Sequence, residues 1–337
     1  MKVGLIGTGA IAALHARAYQ GIGYTIRVCT DVIESAGRSF AERNGAEFVA
    51  TAEEVCSHPE VDYVDVCTLP AVRLEPLRLC ARHLKHVQVQ KPIATDLRTA
   101  REMIEVAAAA GILINVVSQH RFDDSIKFLA SAIRAGRLGR ILEWDAYVKW
   151  HRSDDYYGRP GKGTWRIEGG GALINQAIHQ VDILRWLAGP VRDVFATWQL
   201  GATHHIESED IVNAVVRYAS GATGVIQAAT AFWPGYPERV EIHGVKGTAV
   251  LTGDRLTTWD VRDDEGDAAP ISAAVLSGAS DPMAISLEPF ERQFLDFGEA
   301  IRTGRQPLVP GEAGYQALEV VDAIYRSCRS GDKVILG

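Results

Sequence analysis

The chain has 337 residues, more than one hydrophobic core ordinarily organises, so two domains are expected. A hydrophobic content of 47% with 23% charged residues is that of a soluble globular protein, and a net charge of −7 with no basic cluster excludes a general nucleic-acid or anionic-membrane surface. The five cysteines (Cys29, Cys56, Cys67, Cys80, Cys328) are odd in number, form no CxxC pair and lie mostly in apolar runs, which predicts a reduced cytoplasmic protein without a disulfide or zinc framework.

Taken in chain order, MKVGLIGTGAIAALHARAYQ is interrupted by glycines, His15 and Arg17, so it predicts neither a signal peptide nor a membrane span. Strands are predicted at 3–6, 25–29, 61–68, 87–90 and 112–117, with helices near 11–20, 34–44, 72–83 and 96–110. This βαβα rhythm predicts a doubly wound parallel sheet of Rossmann type over residues 1–121. From residue 122 the rhythm changes. A helix near 124–135 leads to a strongly alternating strand at 141–150, then to a loop at 151–168 rich in Gly, Arg, Tyr and Trp, then to a helix at 173–187. A train of strands follows at 192–199, 210–218, 224–231, 238–244, 247–252 and 256–261, with turns such as SGATG and HGVKG. A surface loop is predicted at 262–285, and helices near 287–303 and 312–329 close the chain. Residues 122–337 thus read as one α+β domain with a large, mostly antiparallel open sheet.

Three stretches carry chemistry. GTGAIA, residues 7–12, follows the first strand and opens the first helix in the pattern GxGxxA. Gly7 permits the tight turn, Gly9 lets a pyrophosphate approach the backbone, and Ala12 allows close helix packing. Thr8, Ala10 and Ile11 complete this cofactor contact, and Asp31 at the end of the second strand is placed to accept from ribose hydroxyls while repelling a 2′-phosphate, which favours NAD over NADP. The bland alternative is a tight turn with a helix-capping acid. HVQVQKP, residues 86–92, directs Lys91 toward a ligand crevice at the carboxyl end of its strand, where a lysine orients a hydroxyl or stabilises an alkoxide, unless it is an ordinary surface lysine. Gln90, Thr68 and Leu69, at neighbouring strand ends, join the cofactor contacts.

The third stretch is GGGALINQAIHQVD, residues 169–182. Its apolar side chains point most ways around a helix, the pattern of an enclosed element, yet Asn175, His179 and Asp182 fall at i, i+4 and i+7 in one polar stripe. His179 is either a satisfied structural histidine or a general acid/base, its ordinary pKa of about 6.5 suiting the latter. HxxD is no closed metal-ligand set, and the cluster His204, His205, Glu207, Glu209 and Asp210 has the content of a solvated polar turn, so no metal is expected. In the loop 151–168, the aromatics and cations suit a polyol, or else pack the loop onto the sheet.

These three motifs in order, with Asp31 and an antiparallel second half, resemble the Gfo/Idh/MocA oxidoreductases, which include glucose–fructose oxidoreductase and inositol 2-dehydrogenase. The resemblance spans nearly the whole chain. It implies a nicotinamide cofactor, a sugar, polyol or related substrate, and a homodimer or homotetramer formed through the C-terminal sheet. Lys91 matches the lysine of the family's E-K-P motif, His179 the histidine that ends its G-G-G-x-L-x-D-x-G-x-H motif, and Asp182 the acid three residues later. Gln90 replaces the usual Glu, Leu69-Pro70-Ala71-Val72-Arg73 stands for P-N-x-x-H, and Asn175 stands where many members have Asp. Asparagine orients by hydrogen bonds but takes no proton. The implied reaction has His179 take the proton of a secondary hydroxyl while Lys91 polarises its oxygen and Asn175 fixes substrate or imidazole. Arg121, Trp165, Arg166, Arg152, Tyr156 and Tyr157 are the expected substrate contacts, with Asp182 supporting His179 or the substrate. Two alternatives stay open: a keto-sugar or nucleotide-sugar reductase using NADP, and a non-catalytic regulator that senses NAD or sugar on the same fold.

Overall fold

The computed structural model describes residues 1–337 apart from 273, 274, 276 and 280–285. Part of the loop predicted at 262–285 therefore lies outside the described residues. The chain forms two compact units, one of Met1–Gln119 with Leu287–Tyr315, the other of His120–Ser286 with Gln316–Gly337.

In the first unit, strands β1 (Lys2–Ile6), β2 (Thr25–Thr30), β3 (Glu47–Phe48), β4 (Tyr63–Val66), β5 (His86–Val89) and β6 (Ile114–Val116) form a parallel sheet in the order β3-β2-β1-β4-β5-β6. Val3, Leu5, Val28, Val64, Val66, Val87 and Val89 have no exposed surface, as expected of strands covered on both faces. The order reverses beside β1, and the crevice at such a point is where open α/β sheets take ligands. Two elements go beyond the sequence reading: the two-residue β3, and a helix at Ala52–Ser57 whose capping box, Thr51 with Glu54, is legible as T-x-x-E.

The helix Glu288–Thr303, expected with the second domain, packs in the first unit. Its Phe290, Phe294 and Phe297 are buried among aromatic side chains of the Rossmann half, and its Gln293 accepts from Ser118 N and donates to Val116 O. An amphipathic pattern names a buried face but not the surface that buries it.

The second unit holds strands β7 (Ile141–Lys149), β8 (Val191–Leu200), β9 (Glu209–Tyr218), β10 (Thr223–Ala229), β11 (Arg239–Gly244), β12 (Gly247–Thr252), β13 (Arg255–Val261) and β14 (Val334–Ile335), ordered β13-β12-β11-β7-β10-β9-β8-β14. Among these described strands only the β7–β10 pair is parallel. The helices Ile178–Ala188 and Gly311–Ser330 supply cover, the latter fixed to β8 by Ser327 Oγ accepting from Ala196 N at 2.9 Å. Alternate residues Val194, Ala196, Val212, Ala214, Val216, Ile226 and Ala228 are buried. On the opposite face Phe195 and Val215, paired in register, are about half exposed. No helix among the described residues is long and apolar enough to cross a membrane.

Candidate functional site

In the first unit the glycine turn is bound to both flanking strand ends. Gly7 has φ +90° and donates to Thr30 O, and its Cα faces the Cys67 carbonyl so closely that a Cβ would stand 3.1 Å from it. Asp31 Oδ2 accepts from Thr8 N at 2.7 Å and Thr8 Oγ1 at 2.8 Å, while Oδ1 accepts from Ile33 N at 2.9 Å. Gly9 caps the helix Ala10–Gly21 with no side-chain hydrogen bond and no acid in the first turn, and Gly9 and Ala10 are exposed. Ile11 is half-buried and Ala12 packs with no exposed surface. Free N–H groups at an exposed helix N-terminus form an anion site. Val32, Ile33, Leu69 and Val72 are exposed apolar residues at the carboxyl ends of β2 and β4. Sequence patterning passed over Val32, Ile33 and Val72, although an apolar pair directly after the acid was the available signal.

Beyond β5, Gln90 is buried, Lys91 is half-buried, and the Lys91–Pro92 peptide is cis. Arg73, which stands at the histidine of P-N-x-x-H, is buried. Its Nε and Nη2 donate to Thr68 O at 3.1 and 2.7 Å, and its Nη1 donates to Gln90 O and Pro92 O. Burial pulls this guanidinium down to about 9. The cation therefore ties the two strand ends that carry Thr68 and Lys91.

In the second unit the polar stripe is rearranged. Leu173–Ala177 form a π-helical turn before the α-helix Ile178–Ala188, so the 3.6-residue spacing assumed for Asn175, His179 and Asp182 does not hold across it. Within 171–184 only Asn175 and His179 are other than buried. Asp182 is buried and paired: Arg121 Nε and Nη2 donate to its two oxygens at 2.7 and 2.5 Å, with the guanidinium over Trp186. The expected leading substrate contact and the expected support for His179 thus pair with each other, since each buried charge needs a partner.

A carboxylate anchors the start of this helix. Glu209, on β9, accepts from Gly171 N at 2.8 Å, Leu173 N at 2.9 Å and Tyr325 Oη–H at 2.8 Å. Burial lifts its carboxyl to about 7, against the pull of those hydrogen bonds. A Cβ on Gly171 would fall 1.9 Å from Glu209 O, and one on Gly170, at φ +148°, 2.3 Å from Tyr325 Oη, which explains the consecutive glycines. Asn175 Nδ2 donates to Gly170 O at 3.2 Å. The His179 ring meets His120 edge-on at 5.1 Å, and His120 Nδ1 lies 2.8 Å from Asp123 Oδ2. Burial disfavours charge on His120, but Asp123, with Glu238 and Asp254 behind it, outweighs burial and raises its pKa.

Other expected substrate contacts divide. Arg152 is buried and donates to the carbonyls of His151, Gly278 and Ala279, which makes it a brace for the loop. Trp165 donates to Glu207 through its N–H and indole, and packs against Trp198 and Tyr325. Tyr157 shares a 2.7 Å hydrogen bond with Thr230 Oγ1. Tyr156 is half-buried, takes a 3.0 Å hydrogen bond from Gln176 Nε2 and lies under Lys162, Arg159 and Arg152, while Arg166 is exposed. In the acidic cluster, Asp210 collects the backbone N–H groups of Ala202, Thr203 and His204.

Two family models match the chain: the oxidoreductase family NAD-binding Rossmann fold over residues 1–118, and the GFO/IDH/MocA C-terminal domain over 126–250. The chain is 30% identical over 330 residues to a myo-inositol 2-dehydrogenase of Thermotoga maritima, covering 94% of this chain and 93% of that protein. It is 28% identical to a 1,5-anhydro-D-fructose reductase of Ensifer adhaerens, covering 97% and 96%. The WlbA dehydrogenase of Bordetella pertussis, solved with NADH and UDP-GlcNAcA, superposes with a TM-score of 0.88 at 27% identity, covering 100% of this chain and 98% of that one. With a doubly wound unit, a large mixed sheet and similarity over nearly its whole length, the chain belongs to the Gfo/Idh/MocA family of NAD-binding oxidoreductases.

Proposed function

We propose that the protein is an NAD-dependent dehydrogenase that oxidises a secondary hydroxyl of a sugar, polyol or sugar derivative, or reduces the corresponding ketone. The observation that carries this reading is local: in the enclosed stretch 171–184, Asn175 and His179 alone are half-buried where every other residue is buried, on a helix whose start is fixed by Glu209.

The first unit fits a dinucleotide. An uncapped, exposed helix N-terminus suits a pyrophosphate, and Val32, Ile33 and Val72 offer apolar surface beside it. Gly7, Thr8, Gly9, Ala10 and Ile11 would hold the phosphates, Asp31 the ribose, and Thr68, Leu69 and Gln90 the remainder. When bound, NAD supplies the hydride acceptor. His179 takes the hydroxyl proton as base, Lys91 polarises the same oxygen by its charge, and Asn175 orients the imidazole or substrate through its amide. In the reverse direction the protonated His179 is the acid. Tyr156, Tyr157, Trp165 and Arg166, which keep accessible surface, are the leading candidates for substrate contact, ahead of the buried Arg121, Arg152 and Asp182. NAD is favoured over NADP because Asp31 carries the negative charge and its neighbours Val32 and Ile33 offer no cation to a 2′-phosphate.

The test is the appearance of reduced-nicotinamide absorbance with NAD and a panel of monosaccharides, disaccharides, inositols, sugar acids and UDP-linked sugars. His179→Ala is expected to lower turnover by ~10²–10⁴ while NAD binding persists. Near-normal turnover in that variant ends the assignment. The same panel run with NADP should give the poorer kcat/KM, and Asp31→Ala should narrow the gap; a preference for NADP in the unaltered protein overturns the role of Asp31. We also assign homo-oligomer formation to the open face of the second unit's sheet, where Phe195 and Val215 form an apolar patch. Five unpaired cysteines suit a reducing cytoplasmic setting.

A further inference from the structure

Behind β4 and β5 lies a chain of buried polar side chains whose hydrogen bonds have only one possible direction. Lys91 N–H can only donate, so the atom it meets at 3.1 Å is Gln90 Oε1. The Gln90 amide nitrogen then faces His15 Nε2 at 2.7 Å, and an amide nitrogen can only donate, so His15 Nε2 carries no proton. The proton is on Nδ1, which meets Asp65 Oδ2 at 2.7 Å. A second run reaches the same oxygen. Ser118 N–H fixes Gln293 Oε1, Gln293 Nε2 faces Asn115 Oδ1, Asn115 Nδ2 donates to Gln88 Oε1, and Gln88 Nε2 donates to Tyr19 Oη, which donates to Asp65 Oδ2 at 2.6 Å.

Each run starts on a backbone N–H just past the end of a strand and terminates on one ionised carboxylate with no exposed surface. Asp65 Oδ2 accepts from His15 Nδ1 at 2.7 Å and from Tyr19 Oη at 2.6 Å, two donors that favour a carboxylate at this buried position. Among the described residues His15 also meets Cys67, whose thiol burial pushes well above its usual value, and the rings of Tyr19, Phe290 and Phe294. His15, Asp65 and Cys67 approach one another closely enough to suggest a cation site. The 2.7 Å His15–Asp65 hydrogen bond and the protonated thiol account for that closeness without one.

We propose that Asp65, His15 and Gln90 form a one-way hydrogen-bond relay that holds His15 as the neutral Nδ1–H tautomer and fixes the backbone of Lys91, making all three positioning residues for Lys91. This goes beyond the reaction proposed above, and it explains why glutamine and not glutamate stands at position 90. A carboxylate there would present two acceptors, one to Lys91 N–H and one to His15 Nε2, and the second demands a proton the native pair does not hold.

The measurements read protons and hydrogen bonds directly, so their outcome is independent of which sugar is turned over, or whether any is. In nitrogen-15 spectra of the full chain at neutral pH, His15 should show a protonated Nδ1 and an unprotonated Nε2. An imidazolium or the Nε2–H tautomer overturns the relay. In Gln90→Glu, the introduced carboxyl and His15 together should hold one more proton at pH 7 than the native pair, seen by titrating both resonances; a fully ionised carboxyl beside a neutral His15 sinks the proposal. In His15→Phe, exchange of the Lys91 amide hydrogen should quicken about tenfold as Gln90 loses its partner, with exchange elsewhere in β5 unchanged. Unchanged exchange at Lys91 contradicts the positioning role, and the first measurement requires no variant to fold.

Discussion

Arg121 and Asp182 are both almost wholly buried, and a charge in that setting is tolerated only while its partner is present. Arg121→Ala should therefore cost ~3–5 kcal/mol, read as a lowered denaturation midpoint, and the added change Asp182→Asn should recover part of the loss by removing the stranded charge. A variant of normal stability with a raised KM would instead return Arg121 to the role of substrate contact. The sequence shows an arginine just after the last Rossmann strand and an acid on the enclosed helix, but nothing in their 61-residue separation declares that they meet. His120 was passed over for the same reason. Its tie to Asp123 and its contact with His179 depend on how the chain turns after β6, not on any local pattern.

The helix that carries Asn175 and His179 was legible as an element. Its apolar spacing, its three leading glycines and its polar residues Asn175, His179 and Asp182 are in the letters, while the π turn and the burial of Asp182 are not, because one extra residue in a turn leaves the composition unchanged. Glu209 was legible only as part of an acidic cluster, and what distinguishes it is the pair of helix N–H groups it receives. Its folded pKa of about 7 lies above the unfolded value near 4.5, so the folded state binds the proton more tightly. The stability this contributes is fully present below pH 4.5 and lost as pH rises through 7, on the order of 3 kcal/mol. Comparing denaturant midpoints of the native chain and Glu209→Gln between pH 4.5 and 8 should show that slope flattened in the variant. Parallel profiles would remove Glu209 from the account. The Rossmann strands were read more faithfully than this helix because apolar runs between turn signals leave few alternatives.

At the scale of the molecule, the open face of the second sheet sets an expectation for assembly. Phe195 and Val215 lie side by side on β8 and β9, with Asn213 and Gln227 in the neighbouring row joined by a 2.7 Å hydrogen bond. Light scattering should give a dimer or larger species, and Phe195→Glu with Val215→Glu should yield the monomer; a monomeric native chain would refute this use of the face. The order in which the chain fills its two units has a different consequence. Residues 1–119 form a sheet whose buried polar relays and aromatic cluster are completed by Gln293, Phe290 and Phe294, supplied only after the whole of 120–286 has passed. At 5–20 residues per second, the ribosome takes on the order of 10–40 s to make that span. During synthesis the first unit must therefore wait, its Rossmann half exposing the apolar surface and unfinished hydrogen bonds that the returning helix will cover, so the second unit can begin folding before the first is complete.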